Sequence, residues 1–201
     1  MYVIGLTGGV GSGKTVVAHG LAEITGAQVL LADELGHLIM EKGEKGYQKI
    51  VQAFGEEILD EQGKISREAL AGIVFAEEEK LQKLNQIIHP AVKAYIRDYI
   101  EERREEEGFL VLETAIMFET GCDMLCDEVW YVYVPEEIRM ERLAKNRGYS
   151  REKSQSIMKR QLLEREFRRR CKRTVCNDGN LEMLGQNLRR LLSDEFGMKI
   201  F

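Results

Sequence analysis

Residues Gly8-Gly9-Val10-Gly11-Ser12-Gly13-Lys14-Thr15 fit the pattern G-x-x-x-x-G-K-[ST] at every position. Each residue type has a physical reason. Glycines let a loop curl until backbone N–H groups face inward at anionic oxygens. A helix starting near Lys14 adds the positive end of its dipole. Lys14 reaches the β- and γ-phosphate oxygens, and the Thr15 hydroxyl suits Mg²⁺. The segment lies between an apolar run, residues 2–6, and a helical pattern over 14–25 that Gly26 stops, which is the context such a loop needs. Residues Gly8 through Val16 are therefore the expected binding site for a nucleoside triphosphate.

Two acids follow apolar runs. Asp33 comes after Val29-Leu30-Leu31-Ala32, and Glu113 closes Phe109-Leu110-Val111-Leu112. A charge at the end of a buried strand is costly unless something uses it. Open α/β sheets hold ligands beyond the carboxyl ends of their strands. Asp33 has two readings there: a group that orients an acceptor hydroxyl and accepts its proton, or the N-cap of the helix that follows. If its strand adjoined the loop-bearing strand, Asp33 would face the terminal phosphate. Glu113 reads as a strand-end acid able to hold Mg²⁺ through water, or as a surface acid.

The elements that must position these groups are legible in outline. Strands are expected at 2–6, 28–32, 109–113, 128–134 and 173–176, with helices between them, which gives a parallel sheet. Between the second and third strands the pattern is almost wholly helical. Leu81, Leu84, Ile87 and Ile88 share a side of 77–88, and Pro90 reads as the first residue of a second amphipathic helix over 90–107, with His89 before it as acceptor ligand or N-cap. Pro135 opens a helix to about 146, Ser150 caps a long basic helix over 151–170, and 181–196 closes the chain.

Charge is uneven. Residues 151–173 hold ten Lys or Arg against three Glu, a local +7 in a chain of net −5. That suits a segment closing on an anionic ligand. The four cysteines lack zinc-site spacing and are expected as reduced thiols. No run of about 18 apolar residues occurs, and the apolar start lacks a basic front, so a cytoplasmic protein is expected.

Three uses of such a loop compete. Asp33-Glu34-Leu35-Gly36 matches the D-x-x-G of switch GTPases, but it comes too soon after Lys14 for a switch loop, and no N-K-x-D guanine-reading sequence exists. A transport ATPase would be larger. A small-molecule kinase explains more: phosphoryl transfer needs cations around the migrating group and a residue that orients the acceptor.

With those residues in place, the chain resembles the dephospho-CoA kinase family over nearly its whole length. The resemblance rests on Ile4–Thr15, Ala32-Asp33, Phe54-Gly55, Gly63-Lys64-Ile65-Ser66-Arg67, Leu84-Asn85, Ile88-His89-Pro90, Phe118-Glu119, Arg142, Arg147, Gln161 and Asn177-Asp178-Gly179. It implies ATP-dependent phosphorylation of the ribose 3′-hydroxyl of dephospho-CoA, with ATP and Mg²⁺. The implied fold is a three-layer α/β/α P-loop NTPase with a parallel five-stranded sheet, a helical substrate-binding insertion and a helical lid. The implied division is a core of 1–33, 108–138 and 171–201, an acceptor-binding region of 34–107, and an arginine-rich lid of 139–170. Catalysis falls to Asp33, Lys14, Arg142 and Arg147. ATP contacts add Asn177 and Gly179 to the loop. Acceptor contacts are Asp33, Arg67, His89, Phe118, Glu119 and Gln161, and the metal falls to Thr15 and Glu113. Only small-molecule partners are expected, with no nucleic acid and no membrane, and a monomer or weak homo-oligomer. The alternatives are a kinase of another metabolite, of nucleoside, gluconate or shikimate type, or a non-catalytic NTP-binding protein. The sequence departs from the family where D-A-D is often found (Leu31-Ala32-Asp33), at Ala115-Ile116-Met117 before Phe118-Glu119, at Arg139, where glutamine is frequent, and at Cys171-Lys172.

Overall fold

The apolar run at the start forms β1 (Tyr2–Thr7), buried from its second residue to its last. Near-continuous burial marks a strand covered on both faces, as in a parallel sheet. In the computed structural model, which describes residues 1–197, β1 is joined by β2 (Gln28–Leu31), β3 (Phe109–Glu113), β4 (Glu128–Tyr133) and β5 (Arg173–Cys176). All pairs are parallel and the order is β2-β3-β1-β4-β5. The expected five strands are present, but β2 pairs with β3 and not with β1. Placement of Asp33 on a strand beside the loop strand is therefore corrected: β3 stands between. Near the carboxyl ends of three strands Leu6, Glu113 and Leu31 are in register, with β1 running one residue further to Thr7.

The chain divides into two compact units, one of Met1–Leu31 with Glu105 onward, the other Ala32–Arg104. In the first, α1 (Lys14–Thr25) and α9 (Leu181–Phe196) cover one face of the sheet. Val17, Ala18 and Leu21 of α1 and Leu184, Leu188 and Leu192 of α9 pack on Ile4, Leu6, Val111, Trp130, Val132 and Val175. The i, i+4 leucines are the apolar stripe of an amphipathic helix. On the other face, α8 (Glu164–Arg170) lays Phe167 on Tyr131, with ring centroids 4.9 Å apart and planes 4° apart. Near the start of β4, the Trp130 indole N–H donates to buried Glu128 (2.6 Å), whose other carboxylate oxygen lies 2.6 Å from Lys172 Nζ. Lys172 and Arg173 also pair with Glu195.

The second unit holds α2 (Ala32–Ile39), α3 (Lys45–Phe54), α4 (Arg67–Val74) and α5 (Glu78–Glu102) around Ile50, Phe54, Ile58, Leu70, Val74 and Leu84. Here the sequence reading needs two corrections. The second strand stops at Leu31 rather than at 32, and α2 begins at Ala32, so Asp33 sits in a first helical turn and not directly at a strand end. Pro90 does not start a helix: it lies inside α5, which runs unbroken from 78 to 102. Proline removes one i→i−4 bond, but Leu84, Val92 and Ile96 are buried on either side of it. Packing along that stripe outweighs the local loss. His89 is thus mid-helix and caps nothing.

One further correction concerns the first unit. The basic stretch is not one helix: α7 (Arg151–Lys159) and α8 are separated by a bend at 160–163. The bend lets α8 seat Phe167 on the sheet. Ser150 caps α7 as expected, its hydroxyl oxygen accepting from Lys153 N–H.

Candidate functional site

The loop from Gly8 to Gly13 leads from β1 into α1. Gly13 is the N-cap at φ 75°, a left-handed conformation that disfavours a side chain, and a Cβ there would also lie 2.6 Å from Asn177 Nδ2. Ser12 N–H closes a turn onto the Gly9 carbonyl at 3.2 Å. Lys14 folds back, with Nζ 3.2 Å from the Gly8 carbonyl oxygen. Its charge is thereby held over the loop rather than in bulk water. Val16 is partly exposed on the first turn of α1.

Thr15 donates its hydroxyl to Glu113 Oε2 at 3.1 Å. Glu113 is buried, 8% exposed, at the carboxyl end of β3. A hydroxyl and one carboxylate beside a phosphate-binding loop are hard oxygen donors. Mg²⁺ is commonly held by one or two carboxylates with phosphates and water rather than by a protein cage. No cluster of three or more His, Cys, Asp or Glu suited to a metal occurs among the described residues.

Asn177, just past β5, ties three segments together. Its Nδ2 donates to the buried Ser12 carbonyl (2.8 Å), its N–H to the Tyr133 carbonyl (3.0 Å), and its carbonyl accepts from Arg142 Nη2 (2.8 Å). Arg142 comes from α6 (Glu136–Arg147). The sequence reading placed Asn177 at the nucleotide, but here it fixes the floor of the loop. Gly179 follows and packs against Met183 of α9. Arg147 is exposed at the last turn of α6 and makes no hydrogen bond or ion pair among the described residues. It stands five positions after Arg142, so the helical period turns it to another side.

Gln161 was read as an acceptor residue. It sits in the bend between α7 and α8, and its Oε1 accepts from Val10 N–H at 2.8 Å. Arg139, one helical turn before Arg142, reaches the same place: a Cβ on Gly9 would collide with its Nη1. In the sequence Arg139 is the first residue of the lid and a departure from the family's glutamine, with no role of its own. Its i, i+3 spacing to Arg142 was the available signal. Phe118, after β3, lies under the Arg170 guanidinium at 4.1 Å, and Glu119 beside it is exposed.

Asp33, Arg67 and His89 belong to the helical unit. Asp33 is exposed in the first turn of α2. Arg67 opens α4 behind its Ser66 cap and lines a cavity of about 390 Å³ with His37, Lys42, Lys64, Glu41 and Asp60. His89 is half-buried, and burial pulls its imidazole below the ordinary value. It does not line the larger cavity, about 680 Å³, formed along α5 by Ile87, Pro90, Ala94 and Tyr95 with Lys45 and Lys83. All four cysteines are free. Burial raises the Cys126 and Cys171 thiols to about 12, so both are protonated at neutral pH. No described helix is long and apolar enough to cross a membrane.

Comparison with known proteins gives the family and the fold. Residues 2–183 match the family model described as dephospho-CoA kinase. The chain is 38% identical to a dephospho-CoA kinase of Corynebacterium diphtheriae over 201 residues, covering all of both chains. Among solved structures, TT1252 from Thermus thermophilus superposes with a TM-score of 0.78 at 32% identity, over 98% of each chain. A dephospho-CoA kinase from Campylobacter jejuni shares the fold, with a TM-score of 0.71 at 22% identity over 96% of each.

Proposed function

The chain belongs to the dephospho-CoA kinase family, and from that premise we propose how its residues divide the work. The reaction moves a phosphoryl group from ATP to the ribose 3′-hydroxyl of dephospho-CoA, giving coenzyme A and ADP. The observation that carries the division is the Thr15–Glu113 hydrogen bond beside a loop over which Lys14 is folded.

ATP phosphates lie on Gly8–Thr15, with loop N–H groups and the α1 N-terminus donating to them. Lys14 swings from the loop carbonyls to the β/γ oxygens. Arg142, anchored to the Asn177 carbonyl, adds a second cation, and Arg147 is brought in when the segment 139–170 closes as a lid. Asn177 holds Ser12 and Gly13 in place, and Gly179 leaves the turn open for the base. Thr15 and Glu113 are the residues that hold Mg²⁺. The ion supplies charge neutralisation on the phosphate oxygens.

Asp33 orients the 3′-hydroxyl and accepts its proton. In a loose transition state the proton leaves late, so alignment is the larger part of its contribution. Arg67, with Lys42 and Lys64 on the same cavity, offers cations to the acceptor's phosphates. His89, Phe118, Glu119 and Gln161 are assigned to the acceptor on the family resemblance alone. The enzyme works in the cytoplasm as a monomer or weak homo-oligomer, without nucleic-acid or membrane partners.

The experiment is purified protein with Mg-ATP and a panel of acceptors (dephospho-CoA, a nucleoside, gluconate, shikimate), scored for ADP and for phosphorylated product. Dephospho-CoA alone should turn over. Asp33→Asn should keep ATP binding while turnover falls about 10²-fold or more. Near-normal turnover in that variant removes Asp33 from the mechanism.

A further inference from the structure

Three observations meet at the mouth of the loop. Val10 N–H points out of the loop and is taken by the Gln161 amide oxygen at 2.8 Å. Beside it, the Arg139 guanidinium lies close over Gly9, where a Cβ would meet Nη1 unless the arginine moved, and the Arg139 carbonyl lies 2.9 Å from where a Cβ on Gly11 would stand. Arg139 Nε is buried and has no hydrogen-bond acceptor.

A buried guanidinium N–H without an acceptor is unfavourable, and more so for a charged donor. Arg139 also has no carboxylate partner among the described residues. The phenol of Tyr131, within electrostatic reach, is raised to about 12 by burial first and by Glu164 next, so it stays neutral. The half-buried side chain thus sets a buried, unpaired Nε–H beside a loop built for anions, with a neighbouring backbone N–H already held by a side-chain oxygen.

We propose that Arg139 is a contact residue for the phosphate chain of ATP. Its guanidinium donates to phosphate oxygens over Gly9, and Val10 N–H passes from Gln161 to the same phosphates. Gln161 is then a stand-in for a phosphate oxygen, and binding frees the bend at 160–163. Developing charge on the leaving ADP oxygens is met by a fork of donors rooted in α6, one turn from Arg142. This rests on the loop being the ATP site, as proposed above.

The test is calorimetric binding of ATP, ADP and AMP to wild type, Arg139→Met, Arg139→Lys and Lys14→Ala, with thermal unfolding of each. Arg139→Met should weaken ATP and ADP by roughly 10- to 100-fold, the span of one or two charge-assisted hydrogen bonds. AMP should change less than about twofold, and Arg139→Lys should recover part of the loss. Equal weakening of all three nucleotides would mean Arg139 only supports the loop, and tighter ATP binding in Arg139→Met would mean it obstructs the site. Either result overturns the proposal. Lys14→Ala separates the premise: if it binds ATP normally, the loop is not the ATP site. If it loses ATP while Arg139→Met does not, only the Arg139 assignment fails.

Discussion

Asn177→Ala removes the side-chain amide that reaches the buried Ser12 carbonyl. A buried acceptor stripped of its donor costs about 1–3 kcal/mol, and truncation adds little for so small a side chain, so about 2 kcal/mol is expected. For a chain of this size each kcal/mol moves Tm by about 2–4 °C, giving a fall of roughly 4–8 °C. The second effect is on ligand. Ser12 and Gly13 lose their brace, so ATP should bind about tenfold more weakly, which at saturating ATP is a further ~1.4 kcal/mol of lost stabilisation. The Tm gap between variant and wild type should therefore widen by about 3–6 °C when ATP is added. Differential scanning fluorimetry with and without ATP reads both terms. Asn180→Ala is the control: it loses the α9 cap, whose Oδ1 accepts from Met183 N–H at 2.9 Å, and should cost about 1 kcal/mol. That variant should show the same gap with and without ATP. If Asn177→Ala behaves like Asn180→Ala, the coupling of Asn177 to the loop is refuted.

Glu113→Gln keeps an acceptor for the Thr15 hydroxyl but loses the charge, and half-saturating Mg²⁺ for turnover should rise about tenfold or more; an unchanged titration would remove Glu113 from the metal. His89, held below its ordinary 6.5 by burial, binds fewer protons folded than unfolded, so stability should fall as pH drops below 6.5 until the folded-state value is passed. His89→Gln should flatten that segment of a denaturation-versus-pH curve. Lys172→Met leaves the buried Glu128 carboxylate short of a cation; because Lys172 is half exposed, the cost should be about 2 kcal/mol rather than the 3–5 of fully buried pairs, and Glu128→Gln in the same background should restore part of the lost Tm. Iodoacetamide at neutral pH should label exposed Cys176 well before Cys126, read by peptide mass spectrometry.

The loop and its strand–helix frame were readable because glycine, lysine and threonine there answer to local requirements, and local requirements are written in consecutive residues. The α9 stripe and the Ser150 and Gly26 caps were readable for the same reason. Pro90 misled because its local cost is outweighed by Leu84, Val92 and Ile96 packing, which no short window contains. The bend at 160–163 was hidden because it is set by Phe167 finding Tyr131, more than thirty residues earlier in the chain. Asn177 was picked out, but its partner was not: a bond from residue 177 to residue 12 is a matter of sheet order, with β5 beyond β4 and β4 beside β1. The strand order itself, which put β3 between β1 and β2, has no local signature at all.

The helical unit enters the chain after β2 and leaves it before β3, and these are neighbouring parallel strands. Parallel neighbours begin at the same end of a sheet, so the chain exits at one end and must return to the other. A deletion joining 31 to 105 would need to span a strand's length, about 17 Å for five residues. A tight turn cannot replace the unit, and a dozen-residue crossover would be the minimum. The same arrangement orders folding. β2 cannot close on β3 until more than seventy intervening residues are compact, whereas those residues close on one another through near neighbours such as α4 on α5. Sequence separation slows the first event and favours the second, so the insertion should protect its amides from exchange before the edge strand β2 does.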